Sequence, residues 1–129
     1  MKDTSINCFT ILPPFAQRGE LFSCRIGGVN NPILQVTWNH KKPIHVSLSP
    51  TEITLAKEKI SCGDFQNQLN VTLTGIVRAG DAALCELALS VHTHLFAWVS
   101  CKALNDLKLE KGAPAVAHFR AASIQRVMK

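Results

Sequence analysis

The chain has 129 residues, 47% of them hydrophobic and 18% charged, which is enough to bury one core or two small cores that share a face. It has no apolar run near the roughly 20 residues that span a bilayer and no apolar signal-peptide core at its start, so we expect a globular cytoplasmic protein. The five cysteines form no close Cys-x-x-Cys pair, which argues against a disulfide framework and a zinc knuckle.

The formal net charge of +5 suits an anionic partner such as nucleic acid, an acidic protein surface or a small oxyanion. The basic residues are dispersed singly or in pairs such as Lys41-Lys42, and the chain has no tyrosine. Single-strand binders interleave aromatic and basic residues, and the sequence lacks this pattern. We therefore expect no nucleic-acid partner.

In chain order, the sequence consists mainly of short apolar or alternating runs separated by turn signals rich in Gly, Pro and Asn. The predicted strands are 8–12, 21–26, 33–38, 44–49, 72–78, 83–91, 94–99 and 115–120. Helical signal is confined to a turn near 64–69, which Asp64 can cap, and to a helix over 101–109, which Ser100 can cap. The pattern predicts an all-β sandwich or barrel.

A charged and then small, polar stretch over 56–63 divides the strands into two groups, so we place the boundary between units 1–58 and 59–129. The halves echo each other, because both end in a strand, a small-residue turn and an isoleucine (Ile53 and Ile124). This predicts an imperfect tandem repeat. The first unit is the shorter one, so it is either abbreviated or borrows a strand.

Several short motifs occur in a fixed order over residues 63–127. They are Gln66-Asn67-Gln68-Leu69, a strand, Cys85-Glu86-Leu87, residues 95–100, Leu107-Lys108-Leu109-Glu110-Lys111-Gly112 and Phe119-Arg120-Ala121-Ala122-Ser123-Ile124. This order resembles the Mop/TOBE family of molybdate-binding modules. The resemblance implies an OB-like β-barrel in tandem arrangement, with the first unit abbreviated and the second complete.

The resemblance also implies a function. It suggests a binding or regulatory module, not an enzyme, for molybdate or a related oxyanion such as tungstate or sulfate, without an organic cofactor. The module would act in transport or homeostasis as the accessory domain of an ABC transporter ATPase. Because sites of this family lie between subunits, it also implies a homodimer or a higher homo-oligomer. The alternatives are a ligand-free dimerisation domain and an OB-type nucleic-acid binder.

An oxyanion needs converging backbone N–H groups, hydroxyls and one or two cations. By resemblance, the candidate ligands are Asn67, Ser100, Arg120, the Ala121 N–H and Ser123, with Arg18 as a possible cation from the first half. The sequence departs from the family pattern where Asp64 and Gln66 replace a hydroxyl and an arginine, and Ser49 replaces the basic residue at the closing edge of the first half.

Structural alternatives exist for the same residues. Arg120 suits a solvated edge cation, Asn67 a cap of the predicted turn, Ser100 the N-cap of the helix and Ser123 a turn hydroxyl. The two imidazoles of His92-Thr93-His94 could bind a transition metal, but without a third ligand we favour a solvated hairpin end.

Overall fold

The computed structural model describes residues 7–27, 32–60, 65–91 and 93–127. Within them the chain forms eleven strands, one α-helix and two 3₁₀ turns. The strands are β1 (Asn7–Ile11), β2 (Ala16–Arg18), β3 (Leu21–Arg25), β4 (Ile33–Val36), β5 (Ile44–Leu48), β6 (Thr54–Ala56), β7 (Asn67–Ala79), β8 (Ala82–Ala88), β9 (His94–Ser100), β10 (Pro114–Phe119) and β11 (Gln125–Arg126). The helix is α1 (Cys101–Asp106), and the 3₁₀ turns are the first turn (Pro50–Glu52) and the second turn (Ala121–Ser123).

The strands form three antiparallel sheets with the orders β1-β5-β11, β6-β10-β7-β8-β9 and β2-β3-β4. The two halves exchange strands. The short strand β6 comes from the first half and pairs with β10 of the second, while β11 closes the chain and pairs with β5 of the first. The sheet of the first half is therefore completed by a strand from the C-terminal end of the chain.

Side-chain alternation on the strands explains the core. In β8, Ala83, Cys85 and Leu87 are fully buried while the residues between them are partly exposed, as expected for a sheet with one covered face. Both halves contribute to one cluster of buried side chains, which includes Val46 and Leu48 from β5 and Phe119 from β10. One continuous core therefore joins the two halves.

Two buried asparagines reinforce this junction reciprocally. Asn67 opens β7, and its side chain accepts from the Gln35 N–H at 2.7 Å and donates to the Gln35 C=O at 3.0 Å. Asn7 opens β1, and its side chain accepts from the Phe96 N–H at 2.6 Å and donates to the Phe96 C=O at 2.8 Å. Each half thus uses its first asparagine to hold a strand of the other half.

The all-β, OB-like barrel prediction is confirmed, and each of the eight predicted strands overlaps an observed one. The strands β2, β6 and β11 were not predicted. The turn near 64–69 is a wrong prediction from residue 67 onward, because Asn67 to Leu69 pair with β10 as part of β7. The Asp64 cap lies outside the described residues. The helix predicted over 101–109 forms but ends at Asp106. No helix among the described residues is long and apolar enough to cross a membrane.

Candidate functional site

The two 3₁₀ turns are built alike. Each follows an extended residue, Ser49 or Arg120, whose C=O accepts the N–H three positions later at 3.0 Å. Each is followed by a buried isoleucine, Ile53 or Ile124, which anchors the turn to the core. The echo that the sequence predicted between the closing edges of the halves is therefore present in the backbone geometry.

A shallow concavity of about 550 Å³ lies where the two turns meet, and we call it the turn cleft. Its lining is mostly polar: Ser47, Ser49, Thr51, Glu52, Arg120, Ala122, Ser123 and Gln125. Four of these side chains carry hydroxyl groups, one is a cation and one is an acid. The cleft brings together Arg120 and Ser123, two of the residues predicted to bind an oxyanion.

The charges in the turn cleft are not paired with each other. The Ser123 hydroxyl donates to the Glu52 carboxylate at 2.8 Å, across 71 positions of sequence. The Arg120 side chain is exposed, and its guanidinium makes no hydrogen bond or ion pair with any other described residue. The guanidinium is therefore available to an anion, whereas the hydroxyl of Ser123 already has an anionic partner.

The backbone N–H of Ala121 also has a partner. It donates to the side-chain oxygen of Gln66 at 2.9 Å, across 55 positions of sequence. Gln66 in turn lines a second concavity of about 550 Å³, which we call the Arg18 cleft; its other lining residues are Ala16, Gln17, Arg18, Leu21, Ser23 and Gln35. None of these described lining residues is acidic, so Arg18 is the charged group of this cleft.

The remaining candidates lie elsewhere or are occupied. Asn67 is buried, and its amide holds the backbone of Gln35, so the alternative of a turn cap for Asn67 is wrong. Ser100 accepts from the Ala103 N–H at 3.0 Å, which confirms its N-cap alternative. It pairs with Ala82 beside the tip of the β7–β8 hairpin, at the opposite end of β7 from Asn67.

Two residues of the clefts were not among the predicted ligands. Gln66 is the residue that, by the motif resemblance, replaces an arginine, and this departure was the signal that a different group faces the second turn. Glu52 occupies the position of the first turn that corresponds to Ser123 in the second, so the echo between the two closing edges could have drawn attention to it.

Metal and thiol chemistry find little support in the described part of the chain. No group of three His, Cys, Asp or Glu residues there could hold a metal ion, and His92 lies outside it. Burial raises the pKa of the Cys24 thiol to about 11. The sulfur of Cys24 lies 3.6 Å from the His40 ring, which also contacts the Lys42 C=O at 2.8 Å. Cys24 is fully buried, so this pair is part of the core.

A scan against models of protein families found no match to the chain, and a search of curated proteins found no similar sequence. Among solved structures, the chain is similar to one described as the cytoplasmic molybdate-binding protein ModG with molybdate bound. The sequence identity is 20%, the match covers 100% of both chains, and the TM-score is 0.79. The resemblance inferred from the motifs is thus confirmed at the level of the fold, over the whole length of the chain.

Proposed function

We propose that the protein binds a tetrahedral oxyanion at the second turn, with Arg120 as the charged ligand. The observation that carries this proposal is the composition of the turn cleft, where an exposed guanidinium without a partner among the described residues lies among four hydroxyl side chains. Arginine and hydroxyl donors are suited to oxyanions because their N–H and O–H groups form charge-assisted hydrogen bonds. The fold similarity to a molybdate-bound protein supports the same ligand class.

Molybdate is the first ligand to test, followed by tungstate and sulfate, which have the same shape and charge. The carboxylate of Glu52 in the cleft disfavours any dianion, so Glu52 limits the affinity. Of the predicted ligands, we assign Arg120 and Ser123 to the turn cleft, whereas the Ala121 N–H faces Gln66, which lines the Arg18 cleft together with Arg18. Asn67 contributes by holding β4, and Ser100 has no role in it.

Calorimetric titration of dialysed protein with molybdate, tungstate and sulfate tests the proposal. The Arg120→Ala variant should weaken binding about tenfold or more, since a charge-assisted hydrogen bond contributes roughly 1.5–3 kcal/mol. Arg78→Ala is the matched control, because Arg78 is exposed near the end of β7 and its removal changes the net charge equally. Absence of heat with all three anions would refute oxyanion binding.

A third variant decides which side of the second turn the anion occupies. Arg18→Ala removes the charged group of the Arg18 cleft and leaves the turn cleft intact. If the anion sits in the turn cleft, this variant binds nearly as well as the wild type. A loss equal to that of Arg120→Ala would show that the anion contacts both cations across the turn.

The cellular setting belongs to the same proposal. The protein would serve molybdate transport or homeostasis in the cytoplasm, as an accessory domain of an ABC transporter ATPase, and a second copy would complete its sites as a homodimer. We also retain the division into units 1–58 and 59–129. The exchange of β6 and β11 supports a tandem arrangement in which each half lends its last strand to the other.

A ligand-free dimerisation domain is the second candidate, and an exposed apolar row favours it. Val77, Leu84 and Trp98 lie side by side across β7, β8 and β9, with Val77 66% and Trp98 37% exposed. Under this alternative, Val77→Glu would dissociate a dimer in sedimentation experiments while calorimetry stays flat. An OB-type nucleic-acid binder would instead show salt-sensitive affinity for single strands in a polarisation assay.

A further inference from the structure

The Ala121 N–H is a donor that an oxyanion at the second turn would need, yet in the structure it already has an acceptor. The Gln66 side-chain oxygen accepts its hydrogen bond at 2.9 Å. The acceptor is the oxygen of the Gln66 amide, because the NH2 group of that amide offers no acceptor to a backbone N–H. A neutral amide oxygen therefore occupies this donor, on the side of the second turn that faces the Arg18 cleft.

Gln66 is well suited to be displaced. It is exposed, it belongs to the segment that leads into β7, and it borders the Arg18 cleft. The bond is partly buried, but a hydrogen bond between two neutral groups is weak compared with one between an N–H and a charged oxygen. An oxyanion can therefore replace the Gln66 oxygen, and the released side chain can turn into solvent.

The first turn offers an internal comparison. Its position equivalent to Ala121 is Pro50, which has no N–H. At this position the first turn therefore has no N–H donor, and no acceptor is required to satisfy one. The contact from Gln66 is specific to the turn that carries the donor, and it is not a general requirement for building this kind of turn.

We infer that Gln66 is an internal acceptor that occupies the Ala121 N–H in the ligand-free protein and competes with the oxyanion for it. This inference rests on the proposed function. Gln66 acts as a positioning residue that sets the affinity: the anion has to displace it before the second turn can bind through its backbone.

Two variants at this position give opposite predictions. Gln66→Met keeps the length of the side chain but removes the acceptor, and it should bind molybdate about fivefold more tightly than the wild type, which is the fold-change expected when a competing neutral hydrogen bond is removed. Gln66→Glu keeps an acceptor and adds a negative charge, and it should bind more weakly. Gln17→Met is the matched control, because Gln17 lines the same cleft but its amide donates to the Gly19 C=O instead.

Amide hydrogen exchange of Ala121 provides a second readout, which does not depend on affinity. In the ligand-free protein, exchange should be slow in the wild type and faster in Gln66→Met, and molybdate should slow it again in the variant.

The outcomes separate the two proposals. If the wild type binds, Arg120→Ala weakens binding and Gln66→Met binds equally or less tightly, the competition by Gln66 is refuted while the oxyanion site stands. If neither the wild type nor Gln66→Met binds any of the three anions, the oxyanion site itself is refuted, and the competition with it. Binding by Gln66→Met alone would support the competition in its strongest form.

Discussion

Replacing Asn67 with alanine separates two roles that the sequence left open for this residue, ligand and structural group. In the structure, the Asn67 amide makes two hydrogen bonds with the backbone of Gln35, at 2.7 and 3.0 Å, and the side chain is 2% exposed. Each such bond contributes about 1 kcal/mol net, and a donor left without a partner adds to the loss. Asn67→Ala should therefore lower the free energy of unfolding by about 2–3 kcal/mol.

This loss can be converted into a melting temperature. The entropy of unfolding of a chain of 129 residues is roughly 0.27 kcal/mol/K near 60 °C, so the expected decrease is about 10 °C. Urea denaturation followed by tryptophan fluorescence gives the free energy, and a thermal scan gives the temperature. Asn7→Ala should cost a similar amount, because Asn7 makes the reciprocal contacts with Phe96.

Asn70→Ala is the control for Asn67→Ala. Asn70 lies on the same strand with its side chain exposed, so its removal should change stability by less than about 0.5 kcal/mol. Suppose instead that Asn67→Ala were as stable as this control but bound molybdate much more weakly. The structural role of the Asn67–Gln35 hydrogen bonds would then be refuted, and Asn67 would be a ligand.

Two further predictions concern charge and thiols. Glu52→Gln removes the carboxylate that accepts a hydrogen bond from Ser123 in the turn cleft. Calorimetry should show molybdate binding about tenfold tighter at low salt, and a smaller gain in affinity at high salt. Unchanged affinity would place the anion away from Glu52. Because burial raises the pKa of the Cys24 thiol from 9.0 to about 11, its contribution to stability is complete below pH 9 and is lost as the pH rises through about 11, a decrease of roughly 2–3 kcal/mol. Urea titrations from pH 8 to 11 should show this decrease, and Cys24→Ala should reduce it; an equal decrease in the variant would assign it to other groups.

The strands with a local signal were predictable, whereas those that depend on distant partners were not. β8 alternates between buried and partly exposed residues, and this period of two can be read from seven residues alone. The strands β6 and β11 have three and two residues, too few to carry a period, and they exist because β10 and β5 offer free edges. The sequence predicts a turn over residues 64–69 that Asp64 can cap, yet pairing with Phe119 makes Asn67 part of a strand.

The candidate site, too, was predictable only where its residues belong to one local motif. Arg120 and Ser123 could be predicted because they belong to one short motif at the closing edge. Their surroundings could not, because Gln66 reaches the second turn across 55 positions and Glu52 across 71. A local motif can identify the groups that a site offers, but the acceptors that already occupy those groups are determined by the tertiary fold.

The two turns also show why a similar backbone path need not give a similar site. Both turns have the same backbone path and the same buried isoleucine after them, which is what the core requires. Only the second turn has a cation before it and an N–H at its first position, because the first turn has Ser49 and Pro50 in those places. Ser49 and Pro50 are compatible with the backbone of the turn, but they offer neither the cation nor the N–H that the proposed anion site uses. The binding capacity of this chain should therefore depend on the four residues from Arg120 to Ser123 and on the two acceptors, Gln66 and Glu52, that contact them.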